Sequence, residues 1–384
     1  MILSSKPNRS RKLMWRLSYF SSVTFLMIII LTWLHVDHHY NANTEQLTSI
    51  AAAKADLTDK LKKSGINAEQ PFTYIPTGVF IQSLDFSSSN NVKITGYIWQ
   101  TLPTAANENQ PVEPSFIFPE QVDGGKVTLA YQQVIEKNTV YGWHFNVVLR
   151  QQFSYLDYPL DHKTVWIRIT PAYFDRNILL TPALDNYEST EEGRTFGVEQ
   201  GVVLGNWEID ETFFDYKTVS YDTNFGIHLQ SHQYEYPELY FNVVMKRKFL
   251  NSFIINLVPL LTVAALLFAL LMTVTADLKK REAVGFNFTG VISIVSALFF
   301  VVLIAHIQLR EQFSEDGIVY IEYFFLLMYF VMIMLIINTY FFSRGKAVSS
   351  TFIMADDNLM PKLCFWPFIL GVLALVTLFK FVFN

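Results

Sequence analysis

Cysteine is almost absent from this chain: Cys364 is the only one in 384 residues. No disulfide can form within the chain, and no cysteine-based metal site or thiol redox pair is available. Charge is also sparse, at 16% of residues with a net charge of −5. No basic stripe with interleaved aromatics occurs, so nucleic acid is not expected as a partner. Glycine-rich phosphate loops are missing, and Asp123-Gly124-Gly125 reads as a turn. No Ser/His/Asp order and no metalloprotease helix is present, while the acidic pairs Glu191-Glu192 and Asp356-Asp357 read as solvated loop residues. The chain is therefore not expected to be an enzyme, and no cofactor is expected. No internal repeat or low-complexity tract breaks the pattern.

What the chain has instead is apolar length, with 51% hydrophobic residues. That is too much for a soluble globule, and it is unevenly placed. Four runs, Phe253–Met272, Phe286–Ile307, Val319–Phe342 and Phe365–Phe383, are each long enough to cross a hydrocarbon core as a helix. A fifth, Leu17–Leu34, follows Lys6, Arg9, Arg11, Lys12 and Arg16. It fits a signal peptide or a retained anchor, and the absence of a small-x-small cleavage site after it favours the anchor. Lys279, Lys280 and Arg281 place the first connecting loop in the cytoplasm by the positive-inside rule. Glu311, Glu315 and Asp316 mark the next loop as external, and Arg344, Lys346 and Lys362 mark the third as internal. The expectation is a multi-pass protein of the cell (inner) membrane, with cytoplasmic N-terminus, exported middle and external C-terminus. Membrane lipid is then an obligatory partner. An exported domain without disulfides leans towards a bacterial envelope.

The middle has ordinary soluble composition. Short β-rich runs broken by turn residues occur at Val79–Leu84, Val92–Trp99, Val127–Ile135, Trp143–Gln151, Thr164–Ile169, Val202–Asp210, Thr212–Val219 and Leu239–Lys246. With no long helices between them, they predict an immunoglobulin-like β-sandwich. Glu45–Ser64 is alanine- and lysine-rich and predicts a helix between anchor and sandwich. The expected layout is a basic segment at 1–16, an anchor at 17–35, a helix or linker at 41–75 and a sandwich at 76–248. Spans follow at 251–273, 285–308, 318–342 and 363–383, with a cytoplasmic loop at 343–362.

In the second C-terminal run, Thr289, Ser293, Ser296, Phe300, Leu303 and Ile307 step by three or four residues and fall on one helix face. Half of that face is polar and half apolar, as a water-filled path with a hydrophobic constriction requires. Packing of small residues between membrane helices is the competing explanation, with Gly290 and Ala297 close by.

Three motifs, in order, resemble the pentameric ligand-gated ion channels (the Cys-loop receptor superfamily) in their bacterial form. Phe153 to Lys163, with Tyr158-Pro159-Leu160-Asp161 at its centre, is similar to the family's central loop, although Leu160 replaces an aromatic and the flanking cysteines are missing. Tyr240 to Lys248 leads into a span containing Pro259, where the family has an arginine at the border and a proline at that depth. Asn287-Phe288-Thr289 followed by Ser293 resembles the cytoplasmic half of the family's pore helix. The likeness covers roughly Thr77 to Phe383. Ser296 departs from it, standing where a bulky aliphatic residue is usual, as do Gly285 and Phe286, where cation channels often carry an acid; the N-terminal helix is additional.

The resemblance implies a homopentamer passing an inorganic ion. Its pore would be lined by the six residues above. Tyr158, Pro159, Asp161, Arg247 and Pro259 would transmit gating, with Asp161 near Arg247. It also implies a small-molecule ligand, a cationic amine or else protons, held by aromatics in the binding loops: Phe116, Phe118, Tyr173, Phe174, Tyr234 and Tyr236. Tyr234 and Tyr236 sit in an expected hairpin, Asn224–Pro237. With 19 Tyr and 34 Phe in the chain, ordinary packing is the competing explanation for each. His306 lies near the outer end of the pore run, and Glu322 is the one carboxylate approaching the membrane interior. His228 and His232 alternate in the hairpin but lack further metal-ligating neighbours. A non-conducting sensor that signals through the N-terminal helix is the rival reading.

Overall fold

The computed structural model describes residues 8–38, 45–64, 72–104, 113–122, 124–173, 177–223, 234–313, 317–344, 351–354 and 356–383. They divide into two compact units. One is helical and comprises Met1–Tyr40, Ser154–Asp161 and Lys248–Asn384; the other comprises Asn41–Phe153 and His162–Arg247.

The β-rich unit opens with helix α2 (Ile50–Lys63), preceded in the chain by α1 of the other unit. The Ser49 hydroxyl caps α2 by accepting from the Ala52 amide, a contact worth about 1 kcal/mol. Ala53, Leu57 and Leu61, at helical spacing, form its buried face. Eight strands follow: β1 (Thr73–Phe86), β2 (Asn91–Pro103), β3 (Lys126–Ile135), β4 (Asn138–Arg150), β5 (His162–Ile169), β6 (Ile178–Pro182), β7 (Trp207–Tyr221) and β8 (Tyr234–Arg247). They form a five-stranded sheet, β3-β4-β2-β1-β6, and a three-stranded sheet, β5-β8-β7. All pairs are antiparallel except β1 with β6.

The two sheets are joined through aromatic residues of the segment between β6 and β7, which pack on the three-stranded sheet and bond to the five-stranded one. Phe214 of β7 and Phe241 of β8 lie 4.9 Å apart, with Phe196 6.0 Å from Phe241. Tyr187 completes the tie, its hydroxyl donating to the Val79 carbonyl and accepting from the Val79 amide, both at 2.8 Å. Gly197 sits here at φ +65°, and a Cβ would come within 2.9 Å of the Val79 carbonyl oxygen, so only glycine fits.

Three expectations change. Val202–Asp210 and Thr212–Val219 are not two strands: β7 is one, with a register shift between Ile209 and Glu211 that absorbs an extra residue. Strand β6 was not expected, because Ile178-Leu179-Leu180 is a continuous apolar run buried on both faces, without the alternation that marks a strand. The hairpin is also shorter, since β8 begins at Tyr234 and pairs with Tyr221; residues 224–233, including His228 and His232, lie outside the described residues.

The helical unit contains α1 (Asn8–His38), α3 (Phe249–Thr273), α4 (Leu278–Val284), α5 (Phe288–Arg310), α6 (Glu322–Arg344), the short α7 (Thr351–Met354) and α8 (Leu359–Phe381). Five of these, all but α4 and α7, are long and apolar enough to cross a membrane. Helix α1 runs along α8: the Ser18 hydroxyl donates to the Leu363 carbonyl at 2.6 Å, and Gly371 leaves room for the Phe25 ring. At its other end the Trp33 indole donates to the Tyr320 hydroxyl at 2.9 Å. Helix α8 starts before the expected Leu363. Pro361 falls in its first turn, where a missing N–H costs nothing. Lys362 is consequently a buried helix residue rather than part of a loop, its ammonium donating to the carbonyls of Val274 and Asp357.

Candidate functional site

Helix α5 begins at Asn287, whose side chain accepts from the Gly290 amide, after Gly285 has ended α4 in the left-handed conformation. At about 100° per residue, Thr289, Ser293, Ser296, Phe300, Leu303 and Ile307 fall within an arc of roughly 80°. Val291, Val295, Val302 and Leu309, each no more than 3% exposed, cluster on the opposite side. They are the residues α5 packs into its own bundle. The six-residue face points away from that bundle: Thr289, Ser293 and Ser296 are exposed, Phe300 is 60% exposed and Leu303 is half-buried. The Ser293 hydroxyl bonds back to the Thr289 carbonyl at 3.0 Å. Those of Thr289 and Ser296 have no partner among the described residues. Hydroxyls set against hydrocarbon without partners are unfavourable, so this face suits water or another copy of the chain better than lipid.

The segment Ser154–Asp161 belongs to the helical unit and packs among helix ends. The rings of Tyr155 and Tyr158 lie 4.9 and 4.8 Å from Phe313, which follows α5. The Leu156 carbonyl accepts from the Tyr320 amide at 2.8 Å, just before α6. The Asp157 carboxylate meets Lys380 of α8 at 3.0 Å. The Tyr158 hydroxyl accepts from the Asn256 side-chain amide of α3 at 2.9 Å, in a buried position. Two helices, α3 and α8, and the α5–α6 connection thus converge on one short segment. Pro159 follows Tyr158 in a cis peptide, and Asp161 is buried.

Asn256 lies in a π-helical turn, Phe253–Leu257, that ends two residues before Pro259. Proline lacks the amide and crowds the carbonyl four residues earlier, so the helix widens on its N-terminal side. Arg247 lies in the β-rich unit, with its guanidinium 4.1 Å from the Trp207 ring.

His306 turns towards α6 rather than along the hydroxyl stripe. Its ring stacks on Phe325, and its nitrogens lie 3.2 Å from the Tyr329 hydroxyl and 3.3 Å from Glu322. Glu322 is buried and also accepts from Arg310 at 3.0 Å and from the Val319 amide at 2.7 Å. Its charge is therefore matched inside the bundle.

The aromatics expected at a ligand separate into groups. Phe118 is buried at 5% exposure against Phe145, a core position; Phe116 packs on Phe118 and on Trp143. The Tyr173 hydroxyl reaches Glu113 at 3.2 Å. Phe174 lies outside the described residues, as does the side chain of Tyr234. Tyr236 is half-buried on β8 opposite Val219.

Alongside Tyr236 on β8 lies a cluster that sequence reasoning missed. Arg168 of β5 donates to Glu238, to Glu120 at 3.0 Å and to the Tyr221 hydroxyl at 2.6 Å, and Tyr221 donates in turn to Glu238 at 2.6 Å. Burial pushes the Glu120 carboxyl up, opposed by Arg168. Burial and the Glu238 hydrogen bond push the Tyr221 phenol up to about 12. On the same face the Lys217 ammonium lies 4.8 Å from the Tyr240 ring, and Trp166 is 5.6 Å from that ring. The period of two in Tyr236, Glu238 and Tyr240 was visible in the sequence, but its partners on β5 and β7 were not. The cluster ties together the strand ends from which residues 224–233 depart. A second cation is enclosed elsewhere in the unit: Lys163, 3% exposed, sits 4.9 Å from the Phe153 ring, 5.2 Å from Trp207 and 5.5 Å from Phe86.

Among the described residues no group of three His, Cys, Asp or Glu is placed to hold a metal ion. Compared with known proteins, the chain matches no family model and none of the curated proteins.

Proposed function

We propose that this chain is one subunit of a ligand-gated ion channel, assembling as a homopentamer in the cell (inner) membrane. Five α5 helices would surround the ion path, with α3, α6 and α8 behind them and α1 on the periphery. The observation that carries the reading is the orientation of α5. It packs into its bundle with Val291, Val295, Val302 and Leu309 and presents Thr289, Ser293 and Ser296 outward. In a ring, those hydroxyls replace part of an ion's hydration shell, and Phe300 with Leu303 resists wetting in the closed state.

The two sheets, as an exported β-sandwich, bind a small-molecule ligand at interfaces between subunits through Tyr173, Phe174, Tyr234 and Tyr236. The segment Ser154–Asp161 carries the resulting movement to α3 and to the α5–α6 connection, and Asp161, Arg247 and Pro259 take part in that transmission. Binding opens the pore only if the ligand prefers the open arrangement.

The test is substituted-cysteine accessibility along Phe288–Arg310 on a Cys364→Ser background, combined with single-channel recording in a planar bilayer. A water-soluble thiol reagent reacts at the stripe positions and spares the 291/295/302 face. Labelling confined to the helix ends, with no unitary currents, removes the pore and leaves the non-conducting sensor.

A further inference from the structure

A cleft of about 690 Å³ opens between α2 and the edge formed by the start of β1 and the end of β6. The floor is fixed and apolar, with Ala53 and Leu57 of α2 at 3% and 1% exposure. Tyr74 stands beside it with half its surface free. Lys54 of α2 lines the cleft, and so does Asp185 in the 3₁₀ turn that follows β6. That turn is held by the Asn186 amide bonding the Ala183 carbonyl at 3.1 Å and by the Trp99 indole donating to the Asn186 side chain at 3.2 Å.

Of the other charges on α2, all but Lys62 are paired. Lys60 is paired with Glu45 at 2.9 Å and Asp56 at 2.5 Å, and Lys63 with Asp59 at 2.6 Å. Lys54 and Asp185, in contrast, have no ion-pair partner among the described residues, and they do not bridge each other. One free cation and one free anion therefore border a single cleft with an apolar floor and an aromatic side.

We propose that this cleft binds a small zwitterion with an apolar body, an α-amino acid with a large hydrophobic side chain. Its carboxylate meets Lys54, its ammonium meets Asp185, and its side chain lies on Ala53 and Leu57 against Tyr74. A ligand of one charge satisfies only one of the two groups, whereas a zwitterion satisfies both and adds no net charge. The volume lies within the usual range for small-molecule sites and accommodates an aromatic side chain. The proposal stands independently of the channel reading, because it concerns α2 and the β1–β6 edge alone.

Isothermal titration of the full-length detergent-solubilised protein with L-phenylalanine tests it. Two analogues each lack one charge: phenylalaninamide has no carboxylate and 3-phenylpropanoic acid has no ammonium. Both are expected to bind roughly tenfold more weakly or worse, the loss of one charge-assisted hydrogen bond. Lys54→Met abolishes the preference over phenylalaninamide and keeps that over phenylpropanoic acid; Asp185→Asn does the reverse. Both side chains are exposed, so both variants fold, and unchanged circular dichroism checks this. No binding of L-phenylalanine at millimolar concentration, equal binding of the analogues, or binding unaltered in both variants overturns the proposal.

Discussion

Replacing Arg168 by Met should loosen the three-stranded sheet far more than an ordinary surface change. The guanidinium holds Glu238, Glu120 and the Tyr221 hydroxyl together, and the side chains of Arg168, Glu120 and Glu238 are only 14%, 14% and 5% exposed. Methionine keeps much of the apolar stem but leaves two largely desolvated carboxylates without their cation. Removing one partner of a buried ion pair costs about 3–5 kcal/mol. Glu120, already pushed towards its neutral form by burial, relieves part of this by taking up a proton, so the lower end applies. About 3 kcal/mol corresponds to roughly a hundredfold change in an opening equilibrium. Hydrogen exchange read by mass spectrometry on the full chain in detergent should therefore show amides of β5 and β8 exchanging about a hundredfold faster. Peptides from α5 and α6 serve as internal controls and stay unchanged. The triple variant Arg168→Met, Glu120→Gln, Glu238→Gln removes the stranded charges and recovers most of the protection. Exchange in Arg168→Met within twofold of the parent would refute the reasoning, since it would mean the cation balances no buried charge.

Phe300→Ser should raise resting conductance in bilayer recordings of the assembled protein, because a hydroxyl wets a constriction that a phenyl ring keeps dry; unaltered leak places the constriction elsewhere. Tyr158→Phe and Asn256→Leu should each lower stability by about 1 kcal/mol through loss of the buried 2.9 Å hydrogen bond. Their double variant should cost less than the sum in thermal melts, and strict additivity would show that the bond is not made. For Glu120, burial raises the folded-state pKa, so the folded chain holds this proton to higher pH than the unfolded chain. The stability it contributes is present in acid and declines as pH rises through that titration, above the ordinary value near 4.5. The stability difference between Glu120→Gln and the parent should therefore grow from pH 4 to pH 7, and a flat difference contradicts the shift.

Much of the helical half can be read from the chain alone, because apolar length is a local property. Each of the five apolar helices overlaps the run that encodes it, although α1 starts nine residues ahead of Leu17, and the hydroxyl stripe follows from spacing on one helix. The stripe's outward direction is another matter. It depends on Val291, Val295, Val302 and Leu309 outcompeting it for the bundle, which only packing of α5 against its neighbours decides. The docking of Ser154–Asp161 on Asn256, Phe313, Tyr320 and Lys380 joins residues up to 223 positions apart (Asp157 to Lys380), and no local pattern encodes such a meeting. Strand β6 and the single bulged β7 were hidden for a related reason: alternation marks a strand that is buried on one face, and both depart from it. The Arg168 cluster and the α2 cleft likewise depend on register and on a helix meeting a sheet edge. Composition and periodicity determine which segments leave water and as what element. Which polar groups then meet is set by long-range geometry, because a charge's partner is chosen by distance in space and not along the chain.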